Sequence, residues 1–329
     1  MRISLGSLII KFALTAVSVC GQSKPGFEVA TVKPSAPMDQ AKMLAALEGG
    51  RMPYGATINN GRAEYTYLDL KTLLTYAYVV KPYQISGPEW MATTRYDIVA
   101  KMPAGSPKSD APRMLQSLLE ERFRLTTHRA SVEHSVLALV AGKGGLKLKA
   151  SAETPSGVEE NSPLQPGEMK MDGPEGPVRV RVDMATGSSV IDMGPKGKMS
   201  YRIVPGAQTI RLEFSRTTMG GFADMLTEMF TLLGGAGGRQ VIDRTEVKGY
   251  YDGSLEFSLA EILEMARAQG IDLPAAVGRT DNGQPVASDP RGGSSLAEAV
   301  QAMGLKLQSQ KAMVDLVIVD HIDKTPSDN

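Results

Sequence analysis

Hydrophobic positions along the chain alternate between helical and strand periods. Ala63 to Tyr67 reads as a strand, after which Leu68, Leu70, Leu73, Leu74, Ala77 and Tyr78 recur at the spacing of one helical face. Thr66, three residues before Asp69, predicts a capping box at the helix start. A strand pair is expected over 83–101, around Tyr83 and Tyr96. A second helix begins near Asp110, with Pro112 tolerated in its first turn and Met114, Leu115, Leu118 and Leu119 as its apolar stripe. Another strand pair follows, FRLTTHR from Phe123 and HSVLALVA from His134.

The second half runs in the same order. Thr209 to Phe214 is a strand, and Met219, Phe222, Met225, Leu226, Met229, Phe230 and Leu233 trace a helical stripe. The stretch VIDRTEVKGYYDGSLEF, from Val241, reads as a hairpin, with Tyr251, Leu255 and Phe257 on one side and Tyr250, Asp252, Ser254 and Glu256 on the other. Ser295 and Glu298 form a capping box before a short helix that stops at Gly304, and the strands LKLQSQ, from Leu305, and VDLVIVDHI, from Val314, close the half.

This recurrence predicts an α+β fold of two related units, each strand, helix, hairpin, helix, hairpin, joined by a flexible linker. The expected boundaries are a leader over 1–21, a first unit over 22–150, a linker with an extra hairpin over 151–200, a second unit over 201–324 and a tail over 325–329. The linker is assigned from the Pro, Gly, Ser and Glu content of 150–176. Residues 259–293 are expected to be a surface insertion that opens with a helical stretch.

Charge narrows the range of partners. Lysine plus arginine and aspartate plus glutamate both number 36, so no long-range field favours nucleic acid. Arg2 and Lys11 precede a short apolar run from Phe12 to Val19, too short to span a bilayer and followed by small residues. That pattern predicts an exported protein, periplasmic or extracellular, with no integral membrane span in the mature chain. Cys20, the single cysteine, offers lipid anchoring as a second route, against which Val17 and Val19 count. Without a second cysteine, no internal disulfide supports the fold.

Chemical signatures are sparse. The sequence has no GxSxG elbow, SxxK pair or HExxH helix, and GGAGG at Gly234 follows a helix where a phosphate cradle would open one. His128 and His134 flank an expected turn at a spacing unsuited to a helical ligand pair, so neither metal nor cofactor is expected. Asp243, Asp252 and Asp320 lie near strand ends, where carboxylates can act as acid and base. Asp243 more simply caps a turn toward Thr245. Trp90, beside the Gly87-Pro88 turn, reads as a packed anchor before a binding platform. The candidate ligand-binding residues are Tyr83, Trp90, Tyr250 and Asp252.

Several ordered stretches carry a family resemblance: FEVATVKPS from Phe27, YQISGPEW from Tyr83, RYDIVAK from Arg95, MLQSLLEERFRLTTHR from Met114, VIDRTEVKGYYD from Val241 and LKLQSQKAMVDLVIVDHIDKTPS from Leu305. Together they resemble the large acidobacterial paralogous family of exported proteins of unknown function. The resemblance implies an envelope setting, and similar domains occur fused to membrane zinc-peptidase sensors of the beta-lactam-antirepressor type. That peptidase chemistry is not implied here, because the zinc motif is missing. The resulting expectation is a non-catalytic binding or interaction module of the cell envelope. Its partner would be an envelope protein, a peptide or a cell-wall-derived ligand, held between units or along a strand edge. The rivals are an envelope hydrolase with an Asp/Tyr site and a structural envelope component.

Overall fold

The computed structural model describes residues 24–327 except 39, 51, 60, 153–162, 184, 185, 187, 205–208, 233–239 and 259–294. The leader over 1–21, Cys20, the GGAGG cluster and the insertion over 259–293 lie outside the described residues.

In chain order the first elements are β1 (Val29–Pro34), α1 (Gln40–Glu48), β2 (Gly55–Asn59), β3 (Arg62–Asp69), α2 (Leu70–Tyr78), β4 (Ile85–Ser86), β5 (Arg95–Lys101), α3 (Ala111–Phe123), β6 (Thr126–Ala141) and β7 (Lys149–Ala150). They are followed by β8 (Glu168–Gly173), β9 (Gly176–Asp183), β10 (Ser188–Asp192), β11 (Lys198–Val204), β12 (Thr209–Thr217), α4 (Met219–Leu232), β13 (Val241–Asp243), β14 (Tyr251–Ser258), α5 (Leu296–Ala302) and β15 (Leu305–His321). Eleven strands form one antiparallel sheet in the order β1-β5-β3-β2-β8-β9-β10-β11-β12-β14-β7. The other four form a smaller sheet, β13-β6-β15-β4, whose outer pairs are parallel.

This architecture overturns the α+β expectation of two strand-helix-hairpin-helix-hairpin units on a flexible linker. The chain is mostly β, and none of the four expected hairpins forms. Ile85 and Ser86 pair with β15, whereas β5 joins the large sheet between β1 and β3. Val241–Asp243 runs beside β6, whereas β14 pairs with β12. The expected pairs near 123–141 and 305–322 are each one continuous strand, and these two strands pair with each other from Leu305↔Ala141 to His321↔Thr126. The sequences between the supposed arms, Ala130-Ser131-Val132-Glu133 and Lys311-Ala312-Met313, contain no Gly, Pro, Asn or Asp to reverse the chain, so extension continues. The supposed linker supplies β8 to β11, an antiparallel meander that makes the two ends of the sheet continuous.

Two large apolar cores lie on this framework among the described residues. The first packs α2 and α3 on β3 and β5, with Leu73, Leu74, Leu115, Leu119, Tyr65, Tyr96 and Phe123 all nearly or fully buried. It is completed by Val317, Val319 and Ile322, from the far end of the chain. The second packs α4 and α5 on β12 and β14 around Phe214, Phe222, Leu226, Phe257 and Val300, and takes Leu137 and Leu139 from β6. Each core therefore needs a strand from the other half of the sequence.

The same local device starts α2 and α4. In β3 the pairing with β5 shifts register between Tyr65 and Leu68, where Tyr67 adopts φ +55° and donates its N–H to Asp97 Oδ1 at 2.8 Å. In β12 the pairing with β14 shifts between Phe214 and Thr217, where Arg216 adopts φ +55° and donates its N–H to Asp252 Oδ1 at 2.9 Å. Each bulge turns the strand into a helix. Asp69 caps α2 by accepting the Thr72 N–H, in place of the expected Thr66 box, and Thr218 accepts the Gly221 N–H at the start of α4. The box at Ser295 and Glu298 forms as the sequence predicts, with both reciprocal hydrogen bonds present.

Candidate functional site

The residues singled out from sequence do not form one site. Tyr83 lies in a short 3-10 turn and packs on Val136, Val314 and Leu316 of the long strand pair. Trp90 packs against the first core, with Lys324 Nζ 5.5 Å from its ring centroid, which makes it an anchor for the C-terminal segment. The Tyr250 carbonyl accepts the Ser151 N–H at 2.8 Å. Asp252 holds the β12 bulge. No hydrogen bond, ion pair or ring contact joins these four among the described residues.

The other acid and histidine candidates also have local partners. Asp243 accepts from the Thr245 N–H and hydroxyl, as a turn cap does. His128 meets Asp320 at 2.8 Å on the exposed face, and no group of three or more metal-ligating side chains occurs among the described residues.

The structure instead gathers charge in a cleft of about 380 Å³ that the sequence did not reveal. One wall is the β8–β9 hairpin, whose tip Pro174-Glu175 is flanked by Gly173 and Gly176. A second is the β10–β11 turn bearing Lys196, and a third is the exposed side of α4 with Asp224 and Glu228 one turn apart. Lys81, just beyond α2, closes the fourth side. Met193, Met199, Met225 and Val178 give the cleft apolar surface between the charges.

The Lys196 turn is fixed by its own chemistry. Asp192 Oδ1 accepts the Gly194 N–H at 2.9 Å, and Asp192 Oδ2 receives Arg216 Nη2 at 3.2 Å. Gly197 lies so close to β12 that a Cβ would meet the carbonyls of Ser215 and Arg216 at 2.8 Å. Gly221 in turn leaves room for the Lys196 carbonyl, 3.2 Å from where its Cβ would be. Asp252 thus bears on the cleft indirectly: it holds the bulge that aims Arg216 at Asp192, and Asp192 shapes the turn presenting Lys196.

Two ion pairs cross the cleft, Lys81 with Asp224 and Lys196 with Glu175. Glu228 pairs with no cation among the described residues. Its side chain keeps an exposed edge, yet the surrounding protein and the nearby Asp224 push its carboxyl up from the ordinary value. Crowding and the charge of Lys81 hold the Lys196 ammonium below its ordinary value, against the opposing pull of Asp224 and Glu228. Burial, helped by Asp224, pushes the Tyr83 phenol well up. Tyr83 is therefore a protonated phenol at neutral pH. Opposed shifts on neighbouring groups in a cleft make it the candidate site.

A second groove, of about 750 Å³, runs beside β1 past Val29, Thr31 and Val99. Its charged neighbours satisfy each other, Lys101 with Glu28 and Arg62 with Glu64, so it presents no convergent chemistry.

Comparison with family models gives a match over residues 71–322 to a family described as protein of unknown function (DUF3738). The chain belongs to this family. The matched span of the DUF3738 chain contains Lys81, Glu175, Lys196, Asp224 and Glu228, so the whole charged set of the cleft lies within the family region. No curated protein and no solved structure matches the DUF3738 chain. Among its described residues, no helix is long and apolar enough to cross a membrane.

Sequence reading missed the cleft because Lys81, Glu175 and Lys196 are single charges in turns far apart in the chain. The one available signal was Asp224 and Glu228, two acids four residues apart in the otherwise apolar run MGGFADMLTEMF.

Proposed function

We propose that this DUF3738 protein is an exported binding module of the cell envelope that holds a small charged ligand in the cleft between α4 and the two β-turns. The observation that carries this reading is the convergence of two lysines and three carboxylates on one apolar-lined cleft of about 380 Å³. That is within the usual size of ligand pockets, about 300–1,000 Å³, where a few placed polar groups fix orientation. The export reading rests on the N-terminal charge and apolar pattern and on the motifs that resemble those of the acidobacterial exported family. A cleft ligand accounts for the charged set better than strand addition at an edge, because edge pairing would use main-chain groups and leave these side chains without a role.

The test is thermal unfolding of the purified protein against peptidoglycan fragments, beta-lactams, glycans and short peptides. A ligand at a hundred times its dissociation constant stabilises by about 2.7 kcal/mol, a shift of roughly 4 °C for a chain of this size. The reading expects such a shift in the wild type and its loss in Lys196→Met and Glu228→Gln. Turnover of any panel compound would favour the hydrolase. A flat panel together with concentration-dependent self-association would favour a structural component.

A further inference from the structure

Resting on the cleft as the binding site, we propose that its ligand is a short peptide with a free α-ammonium, an apolar first side chain and a free carboxylate. The argument begins from charge balance. Lys81 pairs with Asp224 and Lys196 with Glu175, which leaves Glu228 as the carboxylate without a cation among the described residues. Asp224 lies one helical turn before it on the same side of α4 and stays with Lys81, so Glu228 is the carboxylate open to a ligand ammonium.

A ligand carrying only negative charge would meet this surplus acid directly. A ligand carrying an ammonium relieves it and lowers the cost of keeping Glu228 ionised. Lys196 stands across the cleft, and its present partner is Glu175 at the tip of a two-residue hairpin with a substantially exposed side chain. A ligand carboxylate can take the place of Glu175 there, at the loss of only a surface ion pair. Between the two charged ends, Met193, Met199 and Met225 present unbranched, adaptable side chains suited to apolar groups of varied shape. An acceptor for an ammonium, apolar surface and a donor for a carboxylate in one cleft of about 380 Å³ are the groups that a dipeptide or tripeptide would use.

The experiment is calorimetric titration of the intact purified protein with leucyl-alanine, its N-acetyl derivative and its C-terminal amide, at neutral pH and low salt. The free dipeptide is expected to bind, N-acetylation to weaken it by roughly ten- to a hundredfold as a charged hydrogen-bonded contact is lost, and amidation to weaken it less. Glu228→Gln should erase the preference for the free amine, and Lys196→Met the preference for the free acid. Because ligand modification is read on the wild-type protein, the conclusion does not depend on either variant folding well. Equal affinity for free and N-acetylated dipeptide overturns the proposal. If other panel compounds bind in a Lys196- and Glu228-dependent way and no dipeptide does, the peptide assignment falls and the cleft stands as a site; if nothing binds, both fall.

Discussion

Replacing Gly197 by alanine tests the physical basis of the turn that presents Lys196. Gly197 has φ 104° and ψ −169°, a region that side-chain-bearing residues avoid, and occupying it costs about 1–3 kcal/mol. The added Cβ would also stand 2.8 Å from two carbonyl oxygens, those of Ser215 and Arg216, and against the Thr217 hydroxyl. The carbonyls cannot swing aside as a side chain would, because they are main-chain groups of a bulge fixed at its ends, with Ser215 paired to Lys198 of β11 and the flanking Phe214 and Thr217 paired to β14. Relieving the overlap therefore requires backbone movement, a further cost of about 1–3 kcal/mol by analogy with overpacked cores. The sum, roughly 2–6 kcal/mol, is a large part of the 5–15 kcal/mol that holds a typical protein folded.

Gly176→Ala is the matched control. Gly176 has φ +131° and lies in the opposite wall of the cleft, but nothing lies within 4 Å of its Cβ position. It should bear the backbone cost alone. Urea unfolding of both variants beside the wild type gives the comparison directly. Gly197→Ala should lose more stability than Gly176→Ala by about 1–3 kcal/mol, with an unchanged denaturant slope. Equal losses, or a larger loss for Gly176→Ala, would refute the claim that close approach to β12 sets the Lys196 turn.

Two further outcomes follow from the same geometry. Asp252→Ala leaves the Arg216 N–H without its acceptor and should cost about 1–3 kcal/mol, as should Asp97→Ala at the corresponding bulge of β3; only the Asp252 change should also weaken cleft binding, which titration of both variants would show. The Glu228 carboxyl is raised in the folded state, so its contribution to stability is full below the ordinary carboxylate value of 4.5 and is lost as pH rises through the raised value. The stability of the wild type relative to Glu228→Gln should accordingly fall as pH is raised across that interval, and a pH-independent difference in unfolding free energy would contradict it.

What could be read from the sequence was local. The stripes of α2, α3 and α4, the box at Ser295 and the turn at Asp243 depend on residues a few positions apart, and they appear where the spacing puts them, except that Leu68 belongs to β3 and Leu233 lies outside the described residues. Strand partners depend on distant residues, and there the reading failed. Val241 and Ile85 each lie close in sequence to a plausible hairpin partner, yet both are buried against long strands from the opposite half. Alternation correctly set Asp252 on the side of β14 away from Leu255 and Phe257, but could not show that the Arg216 amide awaited it there. Charges such as Lys81 and Lys196 had no periodic context at all, and only the tertiary arrangement gives them one another.

The strand exchange explains how a cleft with walls from four segments can hold a defined shape. Lys81 follows α2, which packs in the first core, and Asp224 and Glu228 are carried by α4 in the second. Were the halves independent units on a flexible linker, these walls could drift apart, and a ligand would bear the entropic cost of bringing them together. Because β15 completes the first core, β6 completes the second, and β6 and β15 pair along their length, neither wall can move without disrupting both cores. The meander β8 to β11 ties the remaining two walls to the large sheet on which both cores pack. The arrangement that defeated the sequence reading of the fold is thus the one that makes the charges of the cleft a fixed set, organised before a ligand arrives.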